Sequence, residues 1–137
     1  MMTLDQLVDV IESDVGDSYE QCICLMLGCI TLVEKFLPKI GFEALELARK
    51  YWMEKSINSS QLEEARVRCW QYLDKRNAST NTQEKEYCAL RSVICVLYVE
   101  QPSDDIGELI EFFLEMISSV EGNINSIERI VKEQLPQ

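Results

Sequence analysis

The chain has 137 residues, a formal net charge of −11 and no histidine. Its length fits one domain over residues 1–137, and an apolar fraction of 47% excludes a disordered acidic chain. The negative charge is concentrated at the two ends: residues 1–34 have seven acidic residues and no basic one, and residues 92–137 have nine acidic and two basic ones. This charge repels nucleic acid and membranes, so we expect a protein partner with a basic surface.

The first half of the chain has apolar residues at helical spacing. A first helix is predicted from the i, i+3, i+4, i+7 pattern of Leu4, Leu7, Val8 and Ile11. A second helix should begin near Ser18, contain the apolar block 22–33 and end near Pro38 and Gly41, because proline and glycine both interrupt helices. A third helix is then predicted from about Phe42.

The second half continues the same helical pattern. Ser60 and Glu63 form a Ser-x-x-Glu sequence that predicts a capping box at the start of a fourth helix. A fifth helix is predicted over 84–99, and a sixth after Ser103 as its N-cap, followed by a short last helix. The fold class expected is therefore all-α, a compact single-domain bundle of six or seven helices.

The most apolar segment, residues 22–33, does not predict a membrane span. Twelve residues extend roughly 18 Å as a helix, less than the hydrocarbon core of a bilayer, which is about 30 Å thick. The N-terminal residues have no basic region before an apolar run, so a secretory signal is not expected. We expect a cytoplasmic protein.

Histidine, a residue type often used in catalysis and the commonest metal ligand, is absent from the sequence. Six cysteines are present without a Cys-x-x-Cys pair, and without histidine there is no mixed zinc site, so we expect reduced, buried thiols, with a redox role of Cys22 and Cys24 as the alternative. The absence of histidine also excludes Ser-His and Cys-His dyads. We expect no enzyme, no cofactor and no metal site.

A group of acidic residues near the C-terminus is the strongest candidate for a binding site. On a continuous helix the side chains of Asp104, Glu108, Glu111 and Glu115 would fall within about 60° of one another, opposite the apolar residues. With Asp105, they form what we call the α6 ridge, after the predicted sixth helix. Like charges at i, i+4 destabilise a helix by a few tenths of a kcal/mol, and no basic residue is interleaved. A basic partner docked on the ridge would relieve this repulsion.

Two other interpretations of the α6 ridge remain open from the sequence. The residues could form a solvated face with no partner, or bind a divalent cation, although acids on one helix rarely surround a cation by themselves. The N-terminal acids could form a second acidic lobe or likewise be only solvated; they are Asp9, Glu12, Asp14, Asp17 and Glu20.

Three large side chains in the middle of the chain are assigned to packing. Trp52 and Trp70 lie on or beside apolar helical stripes, so we expect them in or beside the core rather than in a binding site. Arg91 is followed by an apolar run and is expected to be partly buried. A buried arginine needs a partner, and Glu34 or Glu43 is the predicted carboxylate.

Four patterns between residues 22 and 99 resemble a known family. The sequences are Glu34-x-Phe36-Leu37-Pro38, Ala44-Leu45-x-x-Ala48-Arg49-x-x-Trp52, Leu62-x-x-Ala65-Arg66-x-x-Cys69-Trp70 and Ala89-Leu90-Arg91-x-x-x-Cys95. They resemble the small helical immunity proteins of bacterial polymorphic-toxin and contact-dependent growth inhibition systems. The histidines that some members carry are missing here.

The resemblance implies a cytosolic protein that binds one cognate toxin domain and blocks its active site or substrate surface. An acidic inhibitor can imitate the phosphate charge recognised by a nuclease, so the expected contact residues are Asp104, Asp105, Glu108, Glu111 and Glu115. The alternative is a helical adaptor or regulatory protein that binds a partner helix or peptide through an apolar groove.

Overall fold

The computed structural model describes residues 2–78, 80–81, 83–122 and 124–135, and these residues form an all-α bundle, as predicted. Its seven α-helices are α1 (Leu4–Val15), α2 (Tyr19–Ile30), α3 (Lys39–Arg49), α4 (Ser59–Lys75), α5 (Lys85–Ile94), α6 (Ile106–Glu121) and α7 (Ile124–Gln134). A 3-10 turn spans Glu34–Phe36, and a π-helical turn, Lys50–Glu54, extends α3. The described residues contain no strand.

Helices α2 and α5 form the centre of the bundle. Most residues of α2 are buried, and every residue of α5 from Cys88 to Ile94 is buried. Helix α6 packs against α5 and α1, α7 against α2, and α3 against α4. Because α1 is amphipathic, it covers α6 with a single stripe of three buried residues, Leu7, Ile11 and Val15.

The junction between α2 and α3 differs from the prediction. Helix α2 ends at Ile30, and α3 begins at Lys39 with Pro38 as its N-cap. The Pro38 carbonyl accepts hydrogen bonds from the amides of Gly41 and Phe42, at 2.9 and 3.1 Å. Proline at a helix start loses no helical hydrogen bond, because the first amides have no partner within the helix. Pro38 therefore begins a helix rather than ending one.

Gly41 was also wrongly predicted to end a helix. It lies in the first turn of α3 and is buried. A Cβ at this position would lie 3.0 Å from Leu37 Cδ2 and 3.2 Å from Leu90 Cδ1. A larger residue here would require the side chain of Leu37 or Leu90 to shift by a few tenths of an ångström, so glycine favours the close approach of α3 to these side chains.

Two further helix starts use different caps from those predicted. Helix α4 has its capping box at Asn58 and Gln61: the Gln61 amide donates to Asn58 Oδ1 at 3.1 Å, and the Asn58 amide donates to Gln61 Oε1 at 3.3 Å. Helix α6 is capped by Asp105, not by Ser103, which instead accepts from the Asp105 amide at 3.2 Å. In both cases several adjacent polar residues could have served as the cap.

The fifth helix is shorter than predicted, ending at Ile94 instead of Val99. The following backbone is held by side chains from other elements. Trp52 Nε1 donates to the Val96 carbonyl and Tyr19 Oη donates to the Tyr98 carbonyl, each at 2.8 Å. These bonds give the two carbonyls hydrogen-bond partners from other elements, so tertiary contacts stabilise the irregular segment 95–99.

Candidate partner-binding surface

The α6 ridge lies on the outer side of the bundle. All five of its residues are exposed, while the opposite face of α6 is buried in the core. Asp104 precedes the helix, so only Glu108, Glu111 and Glu115 lie on α6 itself. Salt bridges among the described residues join Arg49 to Glu34, Lys55 to Glu20 and Lys132 to Glu128, and none includes the ridge.

Two ridge residues also stabilise the start of α6. Asp105 Oδ1 accepts a hydrogen bond from the Gly107 amide at 2.9 Å, and Glu108 lies in the first turn. Negative charge is favourable at the N-terminus of a helix because the backbone dipoles leave a partial positive charge there. Glu111 and Glu115 lie further along α6, beyond the turn where this effect is strong.

The fold brings part of the N-terminal acidic group to the same surface. The Glu12 carboxylate lies against the Cα of Gly107, so closely that a Cβ at Gly107 would collide with it. Asp17 and Asp104 line one surface cleft of about 380 Å³ at the junction of the α1–α2 turn with the segment before α6. The two groups of acidic residues are far apart in the sequence. Packing of α1 on α6 brings Glu12 and Asp17 next to the α6 ridge, and together they form one acidic surface.

The other N-terminal acids are Asp9, Asp14 and Glu20. Glu20 forms a salt bridge with Lys55, and both side chains are more than half exposed. Exposed pairs of this kind contribute little to stability. Asp9 and Asp14 are exposed on α1.

Beside the α6 ridge lies an apolar cavity of about 170 Å³ that the sequence did not predict. Phe112, on α6, contributes to its wall and is 38% exposed. The wall is built from α4, α5, the segment after α5, and α6; the lining residues are Trp70, Arg91, Ile94, Cys95, Tyr98, Pro102, Leu109 and Phe112. Trp70 is half-buried, as expected, but it also faces this cavity, which the packing assignment did not include.

Arg91 is buried, as expected, but its predicted carboxylate partner is wrong. Its Nε and Nη2 atoms donate to the carbonyls of Asn81 and Ala78, both at 3.3 Å. Glu34 instead binds Arg49, with 2.7 Å between Nη2 and Oε1. No salt bridge to Arg91 occurs among the described residues, and burial lowers the pKa of its guanidinium from the ordinary value. Arg91 thus anchors the α4–α5 loop.

Two guanidinium groups lie near the aromatic walls of the cavity. The Cζ of Arg91 is 5.5 Å from the ring centroid of Trp70, and that of Arg66 is 4.5 Å from the ring centroid of Tyr98. Both distances allow cation–π attraction. The lining of the cavity is therefore mostly apolar but includes the positively charged Arg91, and Arg66 lies at the ring of one lining residue, Tyr98.

No disulfide joins any of the six cysteines, all of which lie in the described part of the chain, and five are buried, in agreement with the reduced state expected. Burial raises the pKa of the Cys22 and Cys29 thiols to about 12, and that of Cys24 is also raised, first by burial and then by Glu20. A raised pKa leaves less of the nucleophilic thiolate at neutral pH. The environment of Cys22 and Cys24 does not favour the alternative redox role.

Within the described residues, no helix is long and apolar enough to span a membrane, and no three cysteine or acidic side chains group as ligands for a metal ion. No protein-family model, no curated protein and no solved structure matches the chain.

Proposed function

We propose that this chain is a cytoplasmic immunity protein that binds a cognate bacterial toxin domain and neutralises it, and that it has no enzymatic activity of its own. The observation that carries the proposal is the joining of Glu12 and Asp17 with the α6 ridge in one exposed acidic surface. Such a surface attracts a basic partner over a distance and repels competing acidic ones. The sequence resemblance to immunity proteins specifies the kind of partner.

Inhibition would work by occupation of a basic cleft. A toxin that cuts nucleic acid binds phosphates through lysine and arginine side chains. Carboxylates on a rigid helix can take the place of phosphates, because α6 is held in the core by its buried face. Asp104, Asp105, Glu108, Glu111 and Glu115 would act as anionic decoys, and the toxin could not bind its substrate at the same time.

The proposal is tested by co-expression with the neighbouring toxin. The candidate toxin is the C-terminal domain of a large secreted protein, if one is encoded directly upstream of this chain. This domain is produced in a bacterial host, with this chain or with an empty vector. We expect growth to stop in the second case and to continue in the first. If the domain is toxic and this chain gives no protection, the immunity assignment is wrong.

The adaptor function remains a second candidate because the cavity beside Phe112 offers an apolar contact. The two functions differ in their dependence on salt. Ion pairs at an exposed acidic surface are screened, so we expect the dissociation constant of the toxin complex to rise about tenfold or more between low and high ionic strength. Binding through an apolar groove should change by less than about twofold. Titration calorimetry at two salt concentrations separates them.

A further inference from the structure

We propose that the cavity beside the α6 ridge receives one uncharged apolar side chain of the toxin domain, which anchors the complex while the ridge attracts its basic residues. This inference rests on the proposed function and adds a second, chemically different element to the binding surface. Its starting point is the position of Phe112, which follows Glu108 by four residues and precedes Glu115 by three. Residues at these spacings share one helix face.

The cavity therefore opens where the acidic residues are. Phe112 and Pro102 are both exposed, so the wall of the cavity reaches the protein surface at these two residues. A partner that places lysine or arginine beside Glu108 and Glu115 would bring the residues between them over Phe112. The surface thus fits a segment in which an apolar residue is flanked by basic ones.

The chemistry around the cavity selects an uncharged occupant. A cationic side chain inside would meet the guanidinium group of Arg91, which lines the cavity and lies 5.5 Å from the ring centroid of Trp70. An anionic side chain would have to pass the carboxylates of the ridge. An apolar side chain meets neither repulsion and replaces water at aromatic walls.

The size of the cavity limits the occupant to one side chain. A dry cavity of about 150 Å³ can hold a benzene molecule, so about 170 Å³ accommodates a leucine, isoleucine or phenylalanine side chain but not the apolar face of a helix. Burial of such a side chain at the centre of an interface strengthens binding by about ten- to a hundredfold. This is the behaviour of an interface hot spot surrounded by polar contacts.

The first test compares two phenylalanines of similar exposure. Phe112 is 38% exposed and Phe42, on α3, is 43% exposed, so substitution by alanine should disturb the fold to a similar and small extent. We expect Phe112→Ala to weaken binding of the upstream toxin domain at least tenfold and Phe42→Ala to leave it unchanged. Equal affinities of the two variants would overturn the cavity as an anchor point, while growth protection by the unmodified chain would still support the immunity function.

The second test needs no toxin and uses Trp70 as the reporter. The capped pentapeptides KKLKK and KKSKK differ only in the central side chain. We expect KKLKK at millimolar concentration to shift the tryptophan emission and KKSKK to leave it unchanged, and we expect the shift to disappear in Trp70→Phe. If neither peptide shifts the emission, or if both do so equally, the cavity does not select an apolar group. A response to KKLKK without growth protection would contradict the immunity function alone.

Discussion

Replacing Trp52 by alanine is expected to lower the free energy of unfolding by about 3–5 kcal/mol, the range for removal of a large buried aromatic side chain. Trp52 is only 7% exposed and packs edge-on against Tyr19 and Tyr51, with ring centroids 5.8 and 4.9 Å apart. Its indole also donates to the carbonyl of Val96. The substitution therefore removes packing and leaves a buried carbonyl without its partner.

Urea unfolding followed by circular dichroism measures this effect, and the second tryptophan supplies the matched control. Trp70 is half-buried, so Trp70→Ala should cost clearly less than Trp52→Ala. Trp52→Phe keeps most of the packing and loses the hydrogen bond, for which we expect about 1–3 kcal/mol. A Trp52→Ala protein as stable as Trp70→Ala would contradict the position of Trp52 between α2 and the segment 95–99.

We expect the Trp52 substitutions to weaken binding of the toxin domain in proportion to how much they disturb the segment 95–99. The segment 95–99 is held by Trp52 and Tyr19, and it contributes Cys95 and Tyr98 to the wall of the cavity. Trp52 and Tyr19 thus position residues that line the cavity. Trp52→Phe is expected to keep this arrangement better than Trp52→Ala, because a large ring remains between Tyr19 and Tyr51.

Reversal of the charges of Glu108 and Glu111 to lysine is expected to slow association with the toxin domain by about ten- to a thousandfold, the range over which electrostatic steering acts. Stability should change little. Loss of Glu108 from the first turn of α6 costs about 0.3–1 kcal/mol, but the variant also relieves repulsion with Glu115, which is worth a few tenths of a kcal/mol for each pair. The two effects have opposite signs and similar size.

Stopped-flow measurement of the association rate, together with thermal unfolding, tests this prediction. The control variant changes the net charge by the same amount on a different helix, by substituting lysine for the exposed residues Glu63 and Glu64 of α4. If steering depends on the α6 ridge, the control should keep most of the association rate. Equal rates in the two variants would show that total charge matters and the ridge does not, and an unchanged affinity would exclude the ridge as the contact site.

The position of a helix was predictable from the sequence where one of its faces is buried and where capping residues mark its ends. Ser18 caps α2 as expected, and Gly122 ends α6 in the left-handed conformation, φ 71°, that glycine adopts without strain. Helix ends that depend on contacts with other parts of the fold were not predictable. The last residues of the predicted fifth helix follow an apolar pattern, yet the helix ends at Ile94. The side chains of Trp52 and Tyr19 donate hydrogen bonds to the carbonyls of Val96 and Tyr98 beyond that end.

The partner of Arg91 illustrates the same limit. The burial of Arg91 was predicted correctly from the apolar residues that follow it in the sequence. The predicted carboxylate partner was wrong, because its guanidinium donates to backbone carbonyls of the α4–α5 loop instead. A sequence shows which side chains carry charge, but the carbonyls exposed by a loop depend on how that loop is folded. Phe112 was missed for a related reason: its neighbours Leu109 and Phe113 define the buried face of α6, and exposure of Phe112 beside a cavity depends on the packing of α4 and α5.

The all-α class and the exposed position of Glu108, Glu111 and Glu115 were predictable from the sequence, because both follow from spacing along individual helices and need no distant contact. The position of Glu12 and Asp17 beside the α6 ridge was not, since it depends on the packing of α1 against α6. It also created the cavity, whose wall combines residues from three helices and an irregular segment. Residues far apart in the chain become neighbours only through packing, whereas the pattern of charges along one helix follows from the local sequence.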